Sequence, residues 1–577
     1  NAYKKGVNVD LVLDIETDSK HSQIWMCYTH NSDTNEYVCH TTPDTLIPLI
    51  NKADRLIGHN LIGFDAPILN KIWKTRIGLS KVRDTLIMSR LWNPSIEGGH
   101  SLDAWGKRLG NPKVEYSRIW HWIMGVPYDK VSTAPYDAPH DSLNRFYCKQ
   151  DVAVTVDLYK FLTEQLKDWG ESVQLEHEVA AIIAKQERHG FRFDEKKGRI
   201  LLAQLSGEVA DIEGELQAVF PPIVEERISE KTGRPLKSKV TPFNPGSRQQ
   251  IAERLQGLGV KFTQETEKGS TIVNEKVLEG INLPEAKLIA RYLMLQKRIS
   301  QVSSWFDVVK SDGRVHGRVI TNGAVTGRMT HHSPNMAQIP SSSSEYGKEC
   351  RELWTVEVGN KLVGADASGL ELRMLAHYMQ DKAYINTVIN GNKDDGTDIH
   401  TVNMRAAGLQ TRDQAKTFIY ALLYGAGGAK IGSIIGGKAA DGYRIMERFF
   451  SKTPALQHLK EEVVTPAAAK GWLRGLDGRH IMVRSDHAAL NTLLQGAGAI
   501  VMKKALVILH NKLKCDIIDA SFCANVHDEW QIEVPQEDAE RVGRMAVQAI
   551  EEAGKHFKLR CPLTGEYNVG NTWKDTH

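Results

Sequence analysis

The stretch Arg412–Gly425, RDQAKTFIYALLYG, carries Arg412, Lys416, Tyr420 and Tyr424 at four-residue intervals. On a helix, neighbours four apart stack along one side, drifting by about 40° per step. The pattern predicts a helical ridge with two cations and two aromatic rings and little aliphatic surface. Cations suit a polyphosphate, and rings suit a base or sugar face. A nucleoside triphosphate needs both. Taken one at a time, these residues would read as a solvated face and a core contact; taken together they point to a nucleotide.

Two acidic positions on either side of this stretch complete a phosphoryl-transfer pattern. In GADASGLELR, Asp366 falls at the end of an apolar strand and Glu371 lies five residues on. In ANVHDEWQIEV, Asp528 falls in the turn of an alternating hairpin, followed by Glu529. Two acids far apart in sequence, each at a strand end, suit a site holding two Mg²⁺ roughly 3.5–4 Å apart. Mg²⁺ is a hard ion that takes carboxylates, waters and substrate phosphates. Near the N-terminus, LVLDIETD places Asp14 and Glu16 two apart on a strand, so both point to one face. Asp65 closes HNLIGFD, and Asp151 closes YCKQD with Tyr147 four residues earlier on a helix.

These motifs, in this order, resemble those of family A DNA polymerases. Within that family, GAVTGRMTH, ASGLELR, KTFIYALLYGAG, GLDGR and HAALNTLLQ are most similar to the replicative enzymes of T-seven-like bacteriophages. The resemblance implies that Asp366 and Asp528 bind metal, with the Ala367 carbonyl as a further ligand, Glu529 beside them and His527 at the primer terminus. It implies that Arg412 and Lys416 bind phosphates, with Lys416 protonating the pyrophosphate, and that His400 (in GTDIHTVN) is a further phosphate ligand. Glu371 would exclude a sugar 2′-hydroxyl, Tyr420 would pack on the incoming nucleotide, and Tyr424 would guard the template position. Arg328, in VTGRMTHHSPNMAQIP, would contact the primer-terminal minor groove or the nucleotide. Asn491 and Gln495 would read the minor-groove side of nascent pairs, where all four pairs offer similar acceptors. A Tyr at 420 goes, in this family, with acceptance of dideoxynucleotides.

The N-terminal set resembles the DEDDy 3′–5′ exonucleases: Asp14, Glu16, Asp65 and Asp151 would hold two metals and Tyr147 would orient the attacking water. The implied architecture is multidomain α/β and α+β, an RNase H-like exonuclease domain followed by a right-hand polymerase of thumb, palm and fingers. Expected bounds are 1–165 for the exonuclease, 166–310 for connecting helices and thumb, 311–380 for the first palm part, 381–490 for the fingers and 491–577 for the second palm part. The implied cofactors are two Mg²⁺ per active site, with Mn²⁺ as a substitute. Implied partners are primer–template DNA, dNTPs, and a phage helicase-primase and single-stranded DNA-binding protein, in the cytoplasm of an infected bacterial host. No 5′-nuclease domain is expected before Asp14.

The best-studied relative carries a long thumb insertion that binds host thioredoxin. Here the stretch from Pro221 to Pro245 is a short polar segment with Arg227, Lys231, Arg234, Lys237 and Lys239, which reads as a loop too small to order such a clamp. It either grips phosphates or is a solvated linker.

Composition bounds the rest. A chain of 577 residues exceeds the ~250–300 at which single cores stop growing, so several domains are expected. It is 41% hydrophobic and 25% charged, ordinary for a globular protein. No apolar run is expected to reach the ~18 residues of a membrane span. The seven cysteines include no CxxC pair, which argues against a zinc module or a disulfide framework and for a reducing compartment. A net charge of +3 excludes nothing, because acidic metal sites offset basic surfaces. Two rival readings keep the same motifs. A single-subunit RNA polymerase shares the two acids and the Lys/Tyr helix, but Glu371 and the N-terminal acids argue against it. A nucleic-acid scaffold built on a dead polymerase is opposed by intact Asp366, Asp528 and Lys416.

Overall fold

The computed structural model describes residues 9–228, 233–262, 271–485 and 488–577. Its N-terminal part is a five-stranded sheet in the order β3-β2-β1-β4-β5. β1 (Asp10–Thr17), β2 (Ile24–Asn31) and β3 (Glu36–His40) form an antiparallel meander, and β4 (Arg55–Gly58) and β5 (Val82–Asp84) run parallel to β1. Side chains alternate along β1. Leu11, Leu13 and Ile15 are buried with Leu46, Leu61 and Leu69 on one face. Val12 meets Val152 and Val156 of the helix Asp141–Gln165 on the other. Asp14 and Glu16 share the parity of Val12 and so face that helix. This is the α/β unit expected from the sequence.

The helix Ser172–His189 leads to a short strand, Phe191–Phe193, and the helix Glu195–Val219. The sequence predicts a helix interrupted at Gly190; the interruption is a strand paired with Arg314–Val315 and Trp354–Thr355. Leu201, Leu205, Val209, Ile212 and Leu216 form one stripe that packs against the helix Pro284–Phe306. At its far end, the segment expected to be a loop is an antiparallel hairpin, Ile223–Ile228 with Pro235–Thr241. Every side chain of its first strand is exposed, so no buried face imposed the period-2 pattern that marks a strand. Lys231 lies outside the described residues. Part of the Trp- and Pro-containing 120–139 stretch is also helical, as the end of Tyr116–Ile123 and as Ala134–Asp137.

The C-terminal half is built on a four-stranded antiparallel sheet. Asn360–Ala367 lies between Glu529–Pro535 and Gly565–Gly570, and Ser521–Val526 forms the outer strand beyond Glu529–Pro535. The Gly565–Gly570 strand, half exposed along its length, carries no readable signal in the sequence. Helix Ala539–His556 packs on this sheet and on helix Ala489–Cys515. Contrary to the sequence expectation, Ala489–Cys515 is long and apolar enough to cross a bilayer, but most of it is buried in the protein core. Between Met379 and Trp472 lies a helical region that includes Ile399–Ala407, Arg412–Leu423 and Ala439–Lys452.

Candidate active sites

The central strand brings the two C-terminal acids together. Asp366 is paired in register with Glu529, and the Ala367 N–H donates to the Asp528 carbonyl at 3.1 Å. His527, at the tip of the 521–535 hairpin, has φ 58°, a left-handed conformation that is uncommon outside glycine. Such strain persists only where the surroundings over-determine it. Here it immediately precedes Asp528, whose carbonyl is tied to Ala367. Burial first, then the neighbouring Glu371, raises the Asp528 carboxyl to about 6, and Asp366 adds to the effect. Asp366 is raised by burial, then by Glu566 and Glu529. Neither acid has a basic ion-pair partner among the described residues. Glu371 accepts from Arg328 Nη2 at 3.0 Å and from the Tyr424 hydroxyl at 3.4 Å. His527 is held below the ordinary histidine range by burial, then by Arg328.

Glu529 is oriented differently. Its Oε1 accepts from Gln531 Nε2 and Trp573 Nε1, both at 2.6 Å, and its Oε2 lies 3.0 Å from His577 Nδ1. These bonds outweigh burial and leave the carboxyl below its usual range. Both oxygens are committed to neighbouring side chains. None of Gln531, Trp573 or His577 stands out in the sequence, because their role arises only when the chain end packs beside the hairpin.

The ridge helix is fixed by a capping box, with Thr411 and Gln414 reciprocally bonded. Ala415, Phe418, Ile419, Leu422 and Leu423 are buried, which turns Arg412, Lys416 and Tyr420 to the open side. Two details differ from the sequence expectation. Helix geometry ends at Leu423, so Tyr424 is the C-cap, still bonded through its N–H to the Tyr420 carbonyl at 2.9 Å. Arg412 is not a free cation: its Nη2 and Nε lie 2.9 and 3.0 Å from Asp398 Oδ1. Asp398 is itself the N-cap of Ile399–Ala407 and accepts from the His400 N–H at 3.1 Å. Lys416 is exposed and has no ion-pair partner among the described residues. His400 is lowered by burial, then by Arg412; its Nδ1 is buried without a partner and its ring lies 6.2 Å from that of Tyr420. Asn491 and Gln495 lie one turn apart, both half-buried, near the start of Ala489–Cys515.

The N-terminal acids converge in a second cluster. Asp65, which begins the helix Asp65–Ile72, accepts from the Ile15 N–H at 3.2 Å, locking it to β1. Glu16, Asp65 and Asp151 are buried. Burial and then Asp151 push Asp14 up to about 7, and Glu16 and Asp65 are raised mainly by burial, then by Asp14. The Oδ1 of Asp151 is buried without a hydrogen-bond partner. A residue that the sequence does not single out, Lys113, is ion-paired with Asp151 and donates to the Tyr147 hydroxyl at 3.0 Å. A lone lysine in the loop NPKVEY has no local signal; only the fold brings it to the acids. Every N-terminal acid singled out in the sequence is in this cluster, and Tyr147 lies beside it.

A profile of DNA polymerase family A matches residues 223–575. The DNA-directed DNA polymerase of Enterobacteria phage T3 is 33% identical, with 92% of this chain and 94% of the relative aligned. That of Escherichia phage T7 is 32% identical over 98% of this chain and the whole relative. The POL domain of Pol1 from M. smegmatis, solved in complex with DNA primer-template and dNTP, superposes with a TM-score of 0.78 over 99% of this chain and 97% of its own, at 19% identity, a likeness of fold. With the two acids brought together at adjoining strand ends, the nucleotide-type helix and these relatives, the chain belongs to DNA polymerase family A and is a DNA-directed DNA polymerase.

Proposed function

We propose that the C-terminal site extends a DNA primer with dNTPs and that the N-terminal site excises mismatched 3′ nucleotides, as parts of phage DNA replication in the host cytoplasm. In this reading residues 1–165 are the exonuclease, 166–310 the connecting helices and thumb, 311–380 and 491–577 the palm, and 381–490 the fingers. One observation carries the polymerase reading: two carboxylates without cationic partners among the described residues, Asp366 and Asp528, lie together near the helix whose open side carries Lys416 and Tyr420, with Tyr420 close enough for the Asp528 charge to raise its phenol.

Family A enzymes are metal-dependent, and the donor sets suit Mg²⁺. Asp528 is half-buried beside two like charges, a condition that a divalent cation relieves. The N-terminal cluster holds four carboxylates against one lysine and leaves Asp151 Oδ1 open. Asp366, the Ala367 carbonyl and Asp528 would hold the ions of the first site, and Asp14, Glu16, Asp65 and Asp151 those of the second. Bound there, Mg²⁺ or Mn²⁺ neutralises charge and activates the attacking oxygen.

The chain's own groups do the rest. Lys416 neutralises the triphosphate and is the proton donor to the leaving pyrophosphate. Arg412, tethered by Asp398, and His400 line the same phosphate path. Tyr420 packs on the nucleotide, and Glu371, braced by Arg328 and Tyr424, stands where a 2′-hydroxyl would fall. Tyr424, its hydroxyl 3.4 Å from Glu371, guards the templating position. Asn491 and Gln495 test pair shape from the minor groove, Arg328 and His527 hold the primer end, and Glu529 supports the turn rather than reacting. A helicase-primase and a single-stranded DNA-binding protein are the expected partners; thioredoxin is not part of this reading. Primer extension on a defined template tests it: dNTPs are incorporated, ribonucleotides are not, and Asp366→Ala abolishes extension. Equal use of ribonucleotides would transfer the reading to RNA synthesis. For excision, the test is removal of a mismatched 3′ end by the parent and its loss in Asp14→Ala plus Glu16→Ala; excision unchanged in the double variant would remove the second site.

A further inference from the structure

We propose that Lys113 is a positioning residue of the excision reaction, setting the orientation of both the Tyr147 hydroxyl and the Asp151 carboxylate; the proposal rests on the exonuclease reading of the N-terminal cluster. The loop that carries Lys113 is built to hold it. Asn111 N–H donates to the Gly106 carbonyl at 2.8 Å, Asn111 Nδ2 donates to Asp157 at 2.9 Å, and Gln150 Nε2 donates to Asn111 Oδ1. The loop approaches Gly106 so closely that a Cβ there would lie 2.6 Å from the Asn111 carbonyl. The Lys113 side chain is only 16% exposed. Its stem passes toward the Tyr147 ring, with Nζ 4.8 Å from the centroid. Tyr147 is fixed from the other side by Tyr116, at 4.9 Å between rings.

Two consequences follow from hydrogen-bond direction. An ammonium has donors only, so the phenol oxygen of Tyr147 accepts from Lys113 and its own proton must be donated elsewhere. Rotation about the phenol C–O bond is thereby restricted, and the O–H is a stronger donor because its oxygen is polarised by a cation. Lys113 also takes Asp151 Oδ2 and leaves Oδ1 as the open oxygen of that carboxylate; Oδ1 is the buried atom without a partner. One side chain thus chooses which Asp151 oxygen faces the site and which way the Tyr147 proton points. In the hydrolysis, the water oxygen bonds to the terminal phosphorus as the bond from phosphorus to the preceding 3′ oxygen breaks. The water's protons end on the 3′-hydroxyl and in solvent. Lys113 keeps its proton throughout and makes no covalent bond.

The test compares Lys113→Met, Lys113→Arg, Tyr147→Phe and the Lys113→Met/Tyr147→Phe pair in single-turnover excision of single-stranded 3′ ends. Lys113→Met should lower the rate at saturating DNA by about 10–100-fold with KM for DNA within about twofold, and Lys113→Arg should recover most of it. If Lys113 works through Tyr147, adding Lys113→Met to Tyr147→Phe should lower the rate by less than about threefold more. A second readout is Mn²⁺ binding, measured by electron paramagnetic resonance in protein carrying Asp366→Ala and Asp528→Ala. Removing a cation from beside the carboxylates should leave Mn²⁺ affinity equal or higher. Fully multiplicative rate losses, a parent rate in Lys113→Met, or parallel loss of Mn²⁺ binding and excision would overturn the proposal, the last by reducing Lys113 to structural support. Absence of excision in the parent protein itself would overturn the exonuclease reading instead, and with it the role assigned here.

Discussion

Replacing Glu176 by Gln should destabilise the protein by about 3 kcal/mol, more at neutral than at alkaline pH. Glu176 is fully buried on helix Ser172–His189, where its Oε1 lies 2.6 Å from Lys503 Nζ and 2.7 Å from Arg479 Nη1. It joins that helix to the Arg479 turn and to Ala489–Cys515, the long helix beneath the polymerase site. Removing one partner of a buried pair costs roughly 3–5 kcal/mol because an uncompensated charge remains. The lower end applies, since Arg479 keeps Asp477 at 2.6 Å and Lys503 keeps a long contact, 3.5 Å, to Asn322 Oδ1. Burial already holds Lys503 down to about 8 despite Glu176, the largest influence raising it. Without that carboxylate its folded pKa falls further. A lysine depressed in the folded state makes the unfolded chain bind more protons, so stability rises with pH between the folded and unfolded pKa values. In the variant that rise begins at lower pH than in the parent. The difference between the two proteins should therefore be greatest below pH 7 and smaller at pH 9, where Lys503 is mostly neutral in both folded forms. Urea titrations at pH 6.5 and pH 9, followed by tryptophan fluorescence, measure this. A loss below 1 kcal/mol at pH 6.5, or a loss that grows with pH, would refute the reasoning.

Three further outcomes are expected. Tyr420→Phe should raise discrimination against dideoxynucleotides by more than about tenfold in competitive incorporation, since a Tyr at this position goes with their acceptance and the substitution removes only its polar hydroxyl; equal termination would contradict it. Trp573→Phe removes a 2.6 Å donor from the Glu529 carboxylate. A hydrogen bond to a charged group contributes about 1.5–3 kcal/mol, so both the unfolding midpoint and the incorporation rate should fall, whereas a stability loss with an unchanged rate would detach Glu529 from the chemistry. Neutralising Arg227, Arg234, Lys237 and Lys239 on the exposed hairpin should weaken DNA binding and flatten its salt dependence by up to about 0.9 for each phosphate that no longer meets a cation; an unchanged salt slope would make the hairpin a solvated linker.

The parts legible in the sequence are those with local periodicity. Asp14 and Glu16 can be set on one strand face because β1 alternates, and the ridge helix can be oriented because Ala415, Phe418 and Ile419 mark its buried side. The acids at 366 and 528 are readable because each ends an apolar strand. What is not legible depends on contacts between distant segments. Arg412 looks free in the sequence, yet Asp398, from another helix, lies 2.9 Å away. Lys113 and His577 have no pattern around them, and each acquires meaning only beside a carboxylate from elsewhere in the chain. The 223–241 hairpin lacks a buried face, and the Gly565–Gly570 strand is half exposed, so neither leaves a pattern for periodicity to detect.

Asp366 and Asp528 should act as one unit in nucleotide addition, which single-turnover incorporation of one correct dNTP by Asp366→Ala, Asp528→Ala and the double variant measures. Each single variant should lose at least about 10³-fold, and the double should be no more than about tenfold slower than the worse single, because groups that act together are not additive. Near-parent incorporation by either single variant, or losses that multiply in the double, would contradict the account.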